Sequence, residues 1–326
     1  MSARRLLDSY RSAGVLRPLD VHLGRALGHI ADEHDPLVLL GVAAASRVHG
    51  AGHICLELGA FQGQVRDEAI EDESILWPNA DEWATALTAS RLVRSPGAEE
   101  RTPLVLDGQR LYLDRYWGYQ QRLIAEVQRR VSDEKTDISD ARLRVGLDRL
   151  FPPVAGLEGD DLQRIAAETA AKRGFTIVTG GPGTGKTTTI KRLMALLIQD
   201  AWDRGEPTPR FALMAPTGKA AARMKESIRE QDDLDPASKK PRLLASDAVK
   251  EALPDQASTI HRALGFNPRR KTQFKRGPEH PLDADVIIVD EASMIDLALM
   301  VKLFEAVPQE ARLILLGDAD QLKSVE

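Results

Sequence analysis

Cysteine is almost absent from this sequence, with Cys55 the only one in 326 residues. A single thiol excludes an internal disulfide, a zinc site built from cysteines and a cysteine-held iron–sulfur cluster, and it suits a reducing cytoplasm. Long apolar runs are missing as well. The longest lies near residues 37–45 and is far too short to cross a bilayer, and the first five residues lead into a charged stretch rather than a signal-peptide core. We therefore expect no membrane segment.

A strong excess of either charge is also missing. The formal net charge is −5, from 44 basic and 49 acidic residues. A surface that binds nucleic acid must therefore be local, because the overall charge does not favour a polyanion. Hydrophobic residues at 43% and charged residues at 29% are ordinary for a globular protein, and the length leaves room for two domains with a core each.

The first half of the sequence predicts a smaller, mostly helical α+β domain over residues 1–155 that carries no catalytic signature. Its patterned segments are a buried helix over 37–48, a short strand over 53–58, a hairpin of 104–106 with 111–113, and a helix over 114–131. Asp107-Gly108 favours the hairpin, because this pair accepts the positive φ that a tight turn needs. A polar run that contains Pro152-Pro153 then predicts a joint, so we place the second domain over residues 156–326.

In the second domain, short apolar strands alternate with helices. Continuous apolar runs are typical of strands buried on both faces of a parallel sheet, and they occur at 175–179, 211–215, 286–289 and 313–316. The helix after the first strand repeats apolar residues at helical spacing, at positions 190, 193, 194 and 197. We therefore predict an α/β fold of the P-loop NTPase type, a parallel sheet with helices on both faces. Two charged stretches without periodicity, 229–255 and 268–281, are interpreted as insertions or loops.

A glycine-rich loop lies between the first of these strands and its helix. Its sequence, Gly-Gly-Pro-Gly-Thr-Gly-Lys-Thr, is the phosphate-loop pattern, and the strand and helix around it favour that interpretation over a plain glycine turn. The glycines let backbone N–H groups surround phosphates at a helix N-terminus. Lys186 would reach the β- and γ-phosphates of ATP, and the Thr187 hydroxyl would bind Mg²⁺. The predicted nucleotide-binding residues of this loop are Gly180, Gly181, Pro182, Gly183, Thr184, Gly185, Lys186, Thr187 and Thr188.

Two carboxylates, Asp290 and Glu291, follow the apolar strand 286–289. Ligands bind at the carboxyl ends of strands in open α/β sheets, so we predict that Asp290 holds the metal, directly or through water. Glu291 would polarise the attacking water as general base. A solvated strand end is the alternative, but the phosphate loop in the same chain favours the catalytic interpretation.

Four motifs follow one another in the order of the superfamily 1 helicases. They begin at Ala215 (Ala-Pro-Thr-Gly-Lys-Ala-Ala), Ser258 (Ser-Thr-Ile-His-Arg), Asp290 (Asp-Glu-Ala-Ser-Met) and Gly317 (Gly-Asp-Ala-Asp-Gln-Leu). With the phosphate loop they resemble the RecD family, the 5′-to-3′ motor subunit of the RecBCD exonuclease, and residues 52–56 and 111–117 extend the resemblance more weakly into the first domain. The resemblance implies a RecA-like motor domain, an ATP-dependent DNA helicase of double-strand-break repair and recombination, single-stranded DNA as substrate, and RecC- and RecB-like partner subunits.

The same resemblance implies roles for single residues. Gln163 would read the adenine edge, although a glutamine on a helix is commonly solvent-facing, and Gln321 would sense the γ-phosphate as a catalytic residue beside Lys186 and Glu291. The residues implied to face DNA are Thr217, Lys219, Thr259 and His261. For the two threonines the alternative is a helix cap, and for the histidine a structural role.

The family pattern stops early, because the sequence ends at Glu326, inside the third motif. RecD-type motors need a second RecA-like domain, so the resemblance implies a fragment whose N-terminal domain docks on RecC and which unwinds no DNA alone. The rival hypothesis is a nucleotide-dependent protein-interaction module without motor activity. An ATPase of the clamp-loader type is disfavoured by the motifs at 216–221 and 317–322.

Two other groups of side chains could suggest sites. His49 and His53 lack a cysteine or carboxylate in register, which argues against a metal site. Tyr116, Trp117 and Tyr119 lead into a predicted helix, where aromatic residues more often form core or a protein interface than a base-stacking platform.

Overall fold

The computed structural model describes residues 2–61, 76–152, 160–229, 245–267, 269 and 273–318. Its internal contacts divide the chain into two compact units, Met1–Arg122 and Leu123–Val325. The sequence placed the division after residue 155 instead. The difference arises because the helix Asp140–Leu150, which precedes the Pro/Gly-marked joint, packs on helices of the second unit.

Helices and one small sheet build the first unit. Its helices in the described ranges are α1 (Ala3–Ser12), α2 (Pro18–Ala31), α3 (Pro36–His49) and α4 (Ala80–Ala89), and its strands are β1 (Leu56–Glu57), β2 (Val93–Arg94), β3 (Leu104–Asp107) and β4 (Arg110–Leu113). The predicted buried helix is confirmed as α3, which is buried along most of its length. Asp35 caps it by accepting from the Leu37 N–H at 2.8 Å, and Pro36 starts it with a preset φ.

The predicted hairpin is confirmed in the sheet of the first unit, whose strand order is β1-β4-β3-β2. Asp107 pairs with Arg110, and Gly108 takes a φ of +59° in the turn. The strand expected over 53–58 is shorter, because β1 pairs with β4 over two residues only, and a 3₁₀ turn, Leu58–Phe61, follows. On its C-terminal side β1 stops at Glu57, because its partner Arg110 is the first residue of β4 after the hairpin turn.

The predicted helix over 114–131 is confirmed as α5 (Asp114–Val131), along which the chain passes from the first unit to the second. The second unit continues with α6 (Asp140–Leu150), α7 (Leu162–Lys172), β5 (Phe175–Thr179), α8 (Lys186–Asp203), β6 (Phe211–Ala215), α9 (Gly218–Arg229), α10 (Asp247–Glu251), β7 (Ala257–Thr259), α11 (Ile260–Ala263), β8 (Val286–Val289), α12 (Leu297–Ala306) and β9 (Arg312–Gly317). Its sheet is parallel, in the order β5-β9-β8-β6-β7.

Alternating side chains of the central strands enter two separate cores. On β8, Val286 and Ile288 pack with α6 to α9, whereas Ile287 and Val289 pack with α11 and α12. Helices therefore cover both faces of the parallel sheet, and the predicted α/β fold is confirmed. The expected burial of all four apolar runs is wrong for β5, which lies at an edge and leaves Ile177 58% exposed. The sequence also missed β7, a three-residue strand next to a charged stretch.

Within the described ranges, no helix combines the length and the apolar character that crossing a membrane requires.

Candidate nucleotide-binding site

The loop between β5 and α8 is shaped by its glycines. Gly183 and Gly185 have φ values of +77° and +84°, a region that costs glycine nothing and other residues about 1–2 kcal/mol. The Gly180 N–H donates to the carbonyl of Gly317 at 3.2 Å, which ties the start of the loop to the end of β9. A Cβ built on Gly181 or Gly183 would meet nothing within 4 Å, so the space over the loop is open to a phosphate chain.

Lys186, the first residue of α8, folds back over this loop. Its ammonium donates to the carbonyl oxygens of Gly180 and, at 3.0 Å, of Gly181. The Thr184 hydroxyl also donates to Gly181, at 2.9 Å, and the buried Thr189 hydroxyl donates to Gly185 at 3.0 Å. The lysine and the loop therefore form one compact structure at the N-terminus of an 18-residue helix.

The other predicted loop residues lie at the surface of this structure. Pro182 and Thr188 are exposed, and Thr187 is half-buried in the first turn of α8, the position from which its hydroxyl is predicted to bind Mg²⁺.

Gln163 lies in the first turn of α7 and reaches the same loop. Its side-chain amide donates to the Thr184 carbonyl at 3.1 Å. The approach is close, because a Cβ on Gly185 would come within 2.3 Å of the Gln163 Nε2 atom. The structure thus brings Gln163 to the phosphate loop, while its role in reading adenine stays a prediction.

Asp290 follows the fully buried strand β8, so it lies at the same end of the parallel sheet as the phosphate loop. Its N–H donates to Met214 O at 2.9 Å, and its carboxylate accepts from the Glu291 N–H at 2.9 Å. Burial raises the pKa of Asp290, and that N–H and the charge of Lys186 act against the increase. The lysine of the loop and the predicted metal ligand are therefore close enough to interact electrostatically.

Glu291 has a strained backbone. Its φ of 53° and ψ of 39° lie in the left-handed region, and among non-glycine residues of the described ranges only Asp32 also has a positive φ. That conformation costs about 1–2 kcal/mol for a residue with a Cβ. Strain of this kind concentrates at functional sites, where the surrounding structure maintains it. No feature of the sequence indicated it.

The segment after Glu291 packs on the end of β9. Ser293 lies there with its hydroxyl buried and without a hydrogen-bond partner among the described residues. A Cβ on Gly317 would lie 3.6 Å from the Ser293 N–H nitrogen. The sequence assigned no role to Ser293 or Gly317, although both stand within quoted motifs. The structure places them between the phosphate loop and the carboxylates.

The residues predicted to face DNA follow two neighbouring strands, since Ala215 of β6 pairs with Thr259 of β7. Thr217 accepts from the Ala220 N–H at 3.1 Å and Thr259 from the Arg262 N–H at 3.3 Å. The helix-cap alternative is thus confirmed for both threonines. Lys219 is exposed, and so is His261, whose ring centroid lies 5.2 Å from that of Phe266. Contact of these four residues with DNA stays a prediction.

Three other sequence interpretations concern residues elsewhere. Gln321, the predicted sensor of the γ-phosphate, lies outside the described residues. Tyr119 is buried in the first unit, in agreement with the core interpretation. The His49 ring packs on Tyr116, with 3.9 Å between ring centroids.

Two features define a P-loop nucleotide-binding domain: a strand–loop–helix with left-handed glycines and an inward-folded lysine, and a buried strand of the same sheet that is followed by two carboxylates. Comparison with known families agrees with this class. Residues 163–326 match the AAA domain, and residues 12–112 match the N-terminal domain of RecBCD enzyme subunit RecD. The chain therefore belongs to the AAA-domain family, with a RecD N-terminal domain ahead of the AAA domain.

Three relatives that the chain resembles carry RecD or RecD2 in their names. RecBCD enzyme subunit RecD of Mycolicibacterium smegmatis is 42% identical over 98% of this chain and 52% of its own length. The protein of that name in Haemophilus influenzae is 37% identical over 89% of this chain and 46% of its own length. The ATP-dependent RecD2 DNA helicase of Deinococcus radiodurans is 34% identical over 54% of this chain and 21% of its own length. The chain thus spans about half the length of the RecD proteins it matches.

Proposed function

We propose that this chain binds ATP and Mg²⁺ and forms the nucleotide-binding half of a RecD-type DNA helicase motor. The observation that carries the proposal is that Lys186, folded over the phosphate loop, and the half-buried carboxylate of Asp290 lie at the same edge of the sheet, where the charge of Lys186 acts against the rise in the pKa of Asp290. Lys186 begins the helix that follows β5, Asp290 follows β8, and β9 lies between these two strands. A structural glycine turn would not need a half-buried acid and a lysine at the same edge of the sheet.

Each residue has a defined task in this proposal. Loop N–H groups and Lys186 would bind the phosphates, and Thr187 with Asp290 would hold Mg²⁺, which would neutralise charge on the phosphates. Glu291 takes the proton of the attacking water. Its backbone is left-handed, and its N–H donates to the Asp290 carboxylate at 2.9 Å. One strand end can then supply both a metal ligand and a base.

DNA is the proposed substrate of the motor, and the names of the relatives support it. Those proteins are called RecBCD enzyme subunit RecD and RecD2 DNA helicase. We infer movement in the 5′-to-3′ direction on single-stranded DNA, a role in double-strand-break repair and recombination in the cytoplasm, and RecC- and RecB-like partner subunits. Thr217, Lys219, Thr259 and His261 would contact the strand through its phosphates, which position DNA without reading sequence.

Two single substitutions separate nucleotide binding from DNA binding. Lys186→Ala should abolish tight binding of ATP·Mg²⁺ in calorimetry, because it removes the cation that faces the phosphates. Lys219→Ala should retain ATP binding and weaken the binding of single-stranded DNA, more so at low salt. Unchanged ATP affinity in a folded Lys186→Ala protein would contradict the phosphate-loop assignment.

The DNA part of the proposal has its own test. Single-stranded DNA should stimulate ATP hydrolysis when the chain is assembled with its partner subunits, and strand displacement on a 5′-tailed duplex should require ATP. Partner binding with no effect of DNA on hydrolysis would instead favour a nucleotide-dependent interaction module.

A further inference from the structure

Gln163 makes a contact that a residue devoted to the base would not need. Its side-chain amide donates to the Thr184 carbonyl, a backbone group of the phosphate loop, at 3.1 Å. The next residue, Gly185, has no Cβ, and one built there would overlap the same amide at 2.3 Å. Gly185 therefore serves two purposes, because its φ of +84° and its missing side chain are both required.

The start of α7 is anchored, so Gln163 is held at a fixed distance from the loop. Asp161 caps the helix by accepting from the N–H groups of Gln163 and Arg164 at 3.0 Å and 3.1 Å. The Arg164 guanidinium donates to Asp148 at 2.6 Å and to the Phe151 carbonyl at 3.4 Å. The helix turn that carries Gln163 is thereby fixed to the end of α6.

The direction of this hydrogen bond has a consequence for the loop. In a trans peptide, the carbonyl and the N–H point to opposite sides. Holding the Thr184 carbonyl toward Gln163 therefore turns the Gly185 N–H away from Gln163. A phosphate loop works through N–H groups that converge on an anion, and a peptide that flips would turn a carbonyl oxygen toward it.

We infer that Gln163 is a positioning residue of the phosphate loop, which fixes the orientation of the Thr184–Gly185 peptide for any polyphosphate ligand. The inference rests on the proposed nucleotide function and deepens it. Base recognition and loop positioning differ in which ligands depend on the residue for binding. A residue that reads adenine affects ATP alone, whereas one that orients a loop peptide affects every ligand that carries the phosphate chain, with or without a base.

Calorimetry on the whole chain with three ligands distinguishes the two roles. The ligands are the Mg²⁺ complexes of ATP, GTP and inorganic tripolyphosphate. Gln163→Met keeps the length of the side chain and removes the donor without adding charge, and Gln163→Asn keeps the amide but shortens its reach. Gln199→Met is the matched control, because Gln199 lies on α8 and its amide donates to Asp203 at 2.8 Å, outside the loop.

Both Gln163 variants should bind all three ligands roughly 3- to 10-fold more weakly, the net effect of one lost hydrogen bond, while Gln199→Met matches the wild type. An unchanged affinity for tripolyphosphate with a weaker affinity for ATP would overturn the inference and leave the proposed function intact. Failure of the wild-type chain to bind any of the three would overturn both.

Hydrogen exchange of the ligand-free protein gives a second measurement that involves no ligand. Gln163→Met should speed exchange in the peptide covering residues 180–187, since the Thr184–Gly185 unit loses the contact that orients it. Exchange at the wild-type rate, in a variant with unchanged thermal stability, would refute the positioning role.

Discussion

The left-handed backbone of Glu291 leads to a prediction about stability that can be separated from catalysis. Replacing Glu291 with Ala removes the carboxylate and keeps the Cβ, whereas replacing it with Gly removes both. At a φ of 53° the Cβ costs about 1–2 kcal/mol. Glycine loses more conformational freedom on folding, which offsets about 0.5–1 kcal/mol of that gain. Glu291→Gly should therefore be more stable than Glu291→Ala by up to about 1.5 kcal/mol.

Glu226 supplies the matched control. It is an exposed glutamate inside α9, in the same unit, and its helical backbone has no strain to relieve. There the order should reverse, because glycine in a helix interior is about 1 kcal/mol less favourable than alanine. Urea unfolding of the four variants measures both differences. Hydrolysis should be lost in both variants at position 291 and kept in both at position 226.

The argument would be refuted if the Gly and Ala variants had the same order of stability at position 291 as at position 226. If Gly were no more stable than Ala at 291, the left-handed conformation would not be a reservoir of strain, and the unusual backbone would have no energetic link to the site. An order at 291 opposite to that at 226 would support strain that the fold maintains to place the base.

Two further predictions concern charged side chains of the second unit. The raised pKa of Asp290 means that this carboxylate binds a proton more tightly in the folded protein than in the unfolded chain. At a pH above the raised pKa, the charged carboxylate therefore lowers the stability of the fold. This cost disappears as the pH falls toward the ordinary value of 3.8, because the carboxylate is then protonated. Asp290→Asn should therefore unfold at a higher temperature than the wild type at neutral pH, and this difference should vanish in acid. The variant should also need more Mg²⁺ for nucleotide binding. A difference in unfolding temperature that does not change with pH would contradict the argument. In urea unfolding, Arg130→Ala should destabilise the fold by about 2 kcal/mol or more, since this 1% exposed arginine donates to Val307 O at 2.7 Å. The control Arg129→Ala removes an exposed ion pair and should cost under about 0.5 kcal/mol.

Periodic and motif-bearing parts of the fold were predictable from sequence. The α3 helix, the hairpin around Gly108 and the central strands β8 and β9 each have a local pattern that agrees with their final environment. The edge position of β5 was not predictable in this way, because an apolar run does not reveal how many neighbours a strand will have. β7 is too short to show a period, and only its pairing with β6 makes it a strand.

The sequence likewise predicted some features of the candidate site and missed others. Residue types and spacing predicted which side chains would serve the nucleotide, since glycines, a lysine and paired acids have few other reasons to occur in that order. The contact of Gln163 with Thr184 and the left-handed Glu291 depend on distances between segments far apart in the chain. Helix caps at Thr217 and Thr259 were weighed in advance because a cap is a local feature.

The position of β9 between β5 and β8 makes it a spacer inside the site. It separates β5, which leads into the phosphate loop, from β8, which leads into Asp290, so two strand spacings of about 4.8 Å fix the distance between them. Gly317 ends β9 in this gap, and within 4 Å a Cβ built there meets only Ser293 among the described residues, no closer than 3.6 Å. The sheet can therefore accept a methyl group at position 317. Substitution at this one residue would narrow the room between loop and carboxylate while the scaffold on either side keeps its dimensions.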